Sequence, residues 1–342
     1  MSPKRIAVGI GAAVVAAGAV AVAAFVLVRE EETPPSGDLI AYSCREPKNV
    51  WYAVCVIRAD GTARKRLTTG LTTTDPAWSP DGRRIAFTRN EDVGEFMTHT
   101  DDDVFVMDAD GDDVQQLTPE RDGRSSGQPT WSPDGRQIAY VHGASVDSGV
   151  PSRFGGLFVM KADGSDVRRL TQGHADTDPA WSPDGREIAF TRGVKLGGSP
   201  TEANTDIYVV DPVGGASRRL TRTAHLFEEA PAWSPDGSRI AFARLTFQTQ
   251  FDGKEGIYVM NRDGTGERLV LPHQHFADGP YSLTWSPDGR RIAFETSPNR
   301  ECTSISLVEI ESGSVRALTS CARKSESAVA PAWQPAEVTG AP

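Results

Sequence analysis

One pentapeptide, Trp-Ser-Pro-Asp-Gly, occurs five times at intervals of about 50 residues, beginning at Trp78, Trp131, Trp181, Trp233 and Trp285, and a degraded sixth copy stands at Trp333-Gln334-Pro335. A period of that length marks an array of small sheets, none of which can bury its faces alone. It points to an all-β radial fold and moves the functional question from catalytic motifs to surfaces.

Each copy reads as a turn between two strands. Ser79-Pro80-Asp81-Gly82 suits a type I turn, with proline presetting φ at the second position and glycine taking a left-handed one. Before it comes a short Pro-x-Trp strand and after it an Ile-Ala-Phe strand, such as Ile85-Ala86-Phe87. A third strand (Val104 to Met107, Ile207 to Val210), a tight Asp-Gly turn and a fourth strand ending in Arg-Leu-Thr complete the unit. Asp-Gly between apolar runs is a strong hairpin signal.

The strand count is out of phase. The chain opens on a second strand, Leu39-Ile40-Ala41-Tyr42, and closes on a first strand ending at Trp333. The expectation is a six-bladed β-propeller of four-stranded antiparallel blades over residues 38–335, with residues 329–333 completing the blade begun by residues 38–68 in a 3+1 closure. With Trp-Ser-Pro-Asp-Gly, Ile-Ala-Phe, Asp-Gly and Arg-Leu-Thr in this order, the chain resembles the TolB-type β-propeller repeat family. That resemblance implies a six-bladed propeller used mostly to bind proteins or ligands, and in some serine peptidases as an accessory domain. TolB itself carries an additional α/β domain ahead of its propeller, whereas residues 29–37 alone separate the apolar N-terminal segment from the repeats here.

Residues 6–28 contain no charged side chain and are long enough to cross a bilayer. Lys4 and Arg5 precede them, while Glu30, Glu31 and Glu32 follow, so the positive-inside rule places residues 1–5 in the cytoplasm and the repeats outside. The reading is one transmembrane signal-anchor helix in the cell membrane, a linker over 29–37 and a tail over 336–342. The alternative is a secreted protein cleaved near Ala19 to Ala23, but the residues that follow stay apolar to Val28. A net charge of -10 argues against a nucleic-acid partner.

All four cysteines lie beyond the apolar segment, which suits an oxidising compartment. Cys44 and Cys55 fall on neighbouring strands of the closing blade, and Cys302 and Cys321 flank the Ser312-Gly313 turn of another, so two cross-strand disulfides are expected. The alternatives are free thiols or a metal site, although the spacings match no zinc motif.

Turns at one end of the blades are short and uniform, and the loops at the other end are long and dissimilar, which makes that end the candidate binding face. His99, His142, His174, His225, His273 and His275 fall in or beside those loops, as does Phe227. Asp75, Asp178 and Glu229, just ahead of Pro-x-Trp strands, are expected to ring the channel mouth, though aspartate before proline also simply starts a turn. Exclusion of the polar histidines from the repeat strands accounts for their clustering better than a metal site does, and no metal or other cofactor is assigned. Trp78, Trp131, Trp181, Trp233, Trp285 and Trp333 are read as inter-blade packing rather than ligand stacking.

Gly123-Arg124-Ser125-Ser126-Gly127 matches the nucleophile-elbow pattern but lies between blades and not between a strand and a helix, so no catalytic residue is assigned. The nine residues after Trp333 are read as leaving no room for a hydrolase domain. The sequence therefore favours a non-enzymatic module that binds a protein, peptide or cell-envelope glycan through its loop face. The alternative is a propeller enzyme, such as a polysaccharide lyase, with a histidine-based site on that face.

Overall fold

The computed structural model describes residues 37–45, 51–90, 102–118, 125–143, 155–172, 176–195, 203–223, 226–246, 254–272, 282–297, 302–320 and 327–336, and every regular element among them is a β-strand. These residues belong to one compact unit, 34–342, distinct from residues 1–33. The expected anchor at 6–28 lies outside the described residues.

Each repeat folds as an antiparallel sheet in sequence order. Thr73–Trp78, Arg84–Asn90, Asp102–Asp108 and Gln115–Gln116 form one such sheet, and Ser126–Trp131, Gln137–His142, Gly156–Lys161 and Arg168–Arg169 the next. The following two units are joined into one larger sheet by a single parallel bridge between Thr205 and Phe227. Ser327–Trp333 pairs antiparallel with Leu39–Arg45, which continues into Ala53–Arg58 and Lys65–Arg66. The 3+1 closure read from the strand phase is thus borne out. First strands of successive repeats touch one another, and Ser327–Trp333 touches Thr73–Trp78, so the series of contacts returns on itself.

The core lies between sheets, and the Ile-Ala-Phe strand shows why. Ile85 and Phe87 pack with Ala41, Val54 and Val56 of the closing sheet, while Ala86 on the opposite face meets Trp131 and Ile138 of the next unit. Alternating side chains point to opposite faces, so large residues fill one seam and the small alanine admits the neighbour's tryptophan in the other. Trp131, Trp233 and Trp285 each donate an indole N–H to the carbonyl of Ala77, Ala180 and Ala232 in the preceding unit, at 3.0–3.2 Å. These three tryptophans therefore pack between units and staple them, whereas the buried indole N–H groups of Trp78 and Trp181 have no such partner.

The remaining motif residues satisfy backbone groups. In the turn, Ser79 Oγ donates to Asp81 Oδ1 at 2.6 Å and accepts from the Arg84 amide at 2.9 Å, while Gly82 takes φ 67°. The Arg-Leu-Thr threonine accepts a third-strand amide: Thr68 from Val54, Thr118 from Val104, Thr171 from Leu157, Thr221 from Ile207 and Thr319 from Ile305, at 2.8–3.0 Å. In one unit Leu271 holds that place, and there the pairing slips by a bulge between Ile257 and Tyr258.

Cys44 and Cys55 are disulfide-bonded, as expected. Cys302 is disulfide-bonded too, and its expected partner Cys321 lies outside the described residues.

Candidate functional site: the central channel

Pro-x-Trp strands do not run straight. The residue three before tryptophan adopts a left-handed conformation at Asp75 (φ 49°), Gln128 (53°), Asp178 (53°), Ala230 (53°) and Ala330 (51°), and strand pairing shifts register at each. A bulge re-aims side chains, and left-handed alanine is a strained conformation that the surrounding structure must hold. These positions, with Ser282, line a central cavity of about 630 Å³. Its wall toward the uniform turns is built from the repeated tryptophans and from Pro80, Pro133, Pro183, Pro235, Pro287 and Pro335.

The lining is unevenly charged. Asp75, Gln128 and Asp178 occupy one arc, and Ala230, Ser282 and Ala330 the other. Gln128 Nε2 donates to Asp178 Oδ1 and the Asp178 amide donates to Gln128 Oε1, both at 3.0 Å, tying two adjacent units together. Thr74 and Thr177 donate to Asp75 and Asp178 at 3.1 Å. Glu295, buried behind the uncharged arc, accepts from the Ala330 amide at 2.6 Å.

Burial dominates the electrostatics, because it disfavours the charged form. It raises the Asp75 carboxyl to about 6 against the opposing bonds from Thr74 and Thr88, with Asp102 and Asp178 adding repulsion. Glu229 is pushed up to about 7 by burial and then by Asp178, and Glu295 to about 7 by burial with a contribution from Asp75. Asp178 is raised for the same first reason, although Thr191, Thr177 and Gln128 oppose it. These carboxyls thus hold protons more firmly than free ones and share one electrostatic environment.

Of the residues singled out in the sequence, Asp75 and Asp178 meet in the channel, and Glu229 couples to Asp178 from the neighbouring position. Asp75 and Asp178 do not start turns; they are bulge residues within strands. Phe227 is half-buried at the parallel bridge. His99, His174, His225, His273 and His275 lie outside the described residues. Among the described residues no group of three histidine, cysteine, aspartate or glutamate side chains could hold a metal ion.

His142 is described, and its Nδ1 lies 2.8 Å from Ser126 Oγ. The pair looks like a nucleophile and base, but its place in the repeat gives another reading. Ser126 faces His142 as Asp176 faces Arg192 and Glu228 faces Arg244. Arg192 stacks 5.0 Å from the Tyr208 ring and Arg244 4.2 Å from Tyr258, while the His142 ring is 5.0 Å from Phe158. The pair is one copy of a recurring cross-strand clasp, and Ser126 is 2% exposed.

Gln128, Glu295 and the small residues at 230, 282 and 330 belong to no motif that marks them as site residues in the sequence. A signal exists for the channel positions, since each stands three before a repeated tryptophan; Glu295 carries none.

No family model matches the chain. It is 29% identical over 105 residues to the uncharacterized peptidase YuxL of Bacillus subtilis, covering 31% of this chain and 15% of that protein. It is 43% identical over 65 residues to the Tol-Pal system protein TolB of Gluconobacter oxydans, covering 19% of this chain and 12% of that one. The crystal structure of TolB from Acinetobacter baumannii superposes with a TM-score of 0.67 at 22% identity, over 87% of this chain and 67% of that chain. The sequence matches therefore span a small part of the curated relatives, and the structural likeness concerns the fold. The repeated motif, the sheet topology and these likenesses together agree with a TolB-type β-propeller.

Proposed function

We propose that this chain is a six-bladed propeller, tethered to the cell membrane by residues 6–28 on the extracytoplasmic side, that works as a binding module for a protein or peptide. Six blades account for the six strands that end in a repeated tryptophan and for contacts that return from Ser327–Trp333 to Thr73–Trp78. The observation that carries the binding reading is the central channel, with its tryptophan and proline wall and its carboxylate arc. The lining prolines present apolar area at low entropic cost over a backing of buried tryptophans, and a few polar groups set orientation. The relative named for the Tol-Pal system agrees with a protein partner. An envelope glycan on the loop face is the other ligand class this scaffold suits.

The test is capture from envelope extracts by the full chain in detergent. Asp75→Asn with Asp178→Asn should reduce capture at least about tenfold, the loss of about 1.4 kcal/mol, while Phe227→Ala should leave it within about twofold. Loss with Phe227→Ala alone would move the site to the loop face. Turnover of a peptide or glycan by the purified chain would replace binding with the enzyme reading, which the peptidase likeness keeps in view.

A further inference from the structure

The clasp described at His142 recurs around the repeats, and it fails in two places. Two residues beyond the second-strand aromatic stand Arg89, His142, Arg192, Arg244, Thr296 and Cys44. Facing that aromatic on the third strand are Phe105, Phe158, Tyr208, Tyr258, Ser306 and Cys55. Four units thus lay a cation or imidazole against an aromatic ring. One replaces the stack with hydroxyls, Thr296 and Ser306 at 3.1 Å, and contains disulfide-bonded Cys302. The closing sheet replaces it with the Cys44–Cys55 bond.

That replacement sits where the two ends of the repeat array meet. Cys44 pairs with Ala53 on one side and with Ala328 of the C-terminal strand on the other. The junction itself is non-covalent: strand pairing, the Trp333 indole on the Gly37 carbonyl at 2.9 Å and the Gln334 amide on Leu39 O at 2.8 Å, so the disulfide acts on it only by fixing the strand that receives Ser327–Trp333. Reduced, two small thiols would stand where the other units place a bulky cation and ring, and the strand that receives Ser327–Trp333 would keep its pairing with Ala53–Arg58 but lose the covalent tie.

We infer that the Cys44–Cys55 bond is an oxidation-dependent clasp on ring closure, standing in for the stack of the other blades, so that the propeller closes firmly only where a disulfide-bearing oxidant acts. The chemistry is thiol–disulfide exchange. One cysteine thiolate attacks the oxidant's disulfide and the other resolves the mixed disulfide, so the two electrons and two protons leaving the thiols appear in the oxidant's dithiol. Cys44 and Cys55 are 2% and 1% exposed, so exchange takes place before the sheet is complete and the finished bond is shielded.

The test is amide hydrogen exchange on the full chain in detergent, comparing wild type, Cys44→Ser/Cys55→Ser and Cys44→Arg/Cys55→Phe. Removing a bridge across so short a loop should increase opening of residues 39–45 and 327–333 about 30-fold or more, with residues 126–131 and 176–181 changed less than about threefold. The Arg/Phe variant, which rebuilds the repeat's own stack without sulfur, should recover most of that protection. Unchanged exchange in 327–333, or an equal rise in all sheets, overturns the inference. If the Arg/Phe variant does not fold, the exchange pattern of the Ser/Ser variant decides alone.

Discussion

Replacing Arg244 by methionine removes the most heavily engaged cation among the described residues while keeping an unbranched side chain. Its side chain is 6% exposed, and its guanidinium bonds Glu228 Oε1 from Nε at 2.9 Å and both Glu267 oxygens at 2.6 Å, with the Tyr258 ring 4.2 Å away. Glu228 is fully buried, and its Oε2 accepts no hydrogen bond even with Arg244 present. Arg244→Met therefore strands a buried carboxylate, and breaking such a pair costs about 3–5 kcal/mol. For a domain of this size that corresponds to a fall in Tm of roughly 10 °C. Urea and thermal unfolding followed by tryptophan fluorescence would read it. Adding Glu228→Gln should recover more than half of the loss, because the stranded charge is what costs. Burial already raises the Glu228 pKa against the pull of Arg244. A raised carboxyl stabilises the fold below its unfolded pKa, and that contribution is lost as pH rises through the folded value. The Arg244→Met deficit should accordingly shrink as pH falls. A single variant within about 1 kcal/mol of wild type, or a double variant no better than the single, would refute this account of where the energy lies.

Three further outcomes follow from the same geometry. Thr319→Val keeps shape but deprives the Ile305 amide of its acceptor at 2.9 Å, so it should cost about 1–3 kcal/mol in denaturant unfolding, and a neutral result would remove the explanation of the Arg-Leu-Thr motif. With Asp75 near 6 and Glu295 and Glu229 near 7, the folded chain holds extra protons between about pH 4 and 7; stability should fall across that interval, and Glu295→Gln should flatten the decline, as a melting series over pH would show. Ser126→Asp with His142→Arg rebuilds the clasp of the neighbouring unit and should preserve or raise Tm, whereas a fall of several degrees would return that pair to consideration as a functional dyad.

Much of the scaffold was legible because its signals are local and repeated. Ser-Pro-Asp-Gly closes its turn through bonds between residues two and five apart, so no distant contact is needed to read it. The closing strand was legible from phase alone, since a chain that begins on a second strand needs a first strand from its other end. The channel was harder to see. Asp75 and Asp178 look in the sequence like residues that merely precede a proline, and only the packed ring makes them bulges that line one cavity, with Gln128 of the unit between them bonded to Asp178.

What the sequence by itself determined is the repeat: its turn, its strand order, the alternation of Ile, Ala and Phe, and the need for Ser327–Trp333 to pair with Leu39–Arg45. What only the tertiary structure decided is which side chains from different repeats share a place. Glu295 and Asp75 are far apart in the chain, yet Asp75 adds to the rise in the Glu295 pKa that burial begins, and His142 belongs to a series of stacked clasps rather than to a catalytic pair. The physical reason is that turn chemistry and strand periodicity act over a few residues, whereas burial, Coulombic coupling and cross-strand stacking depend on distances set when the sheets close around a common axis.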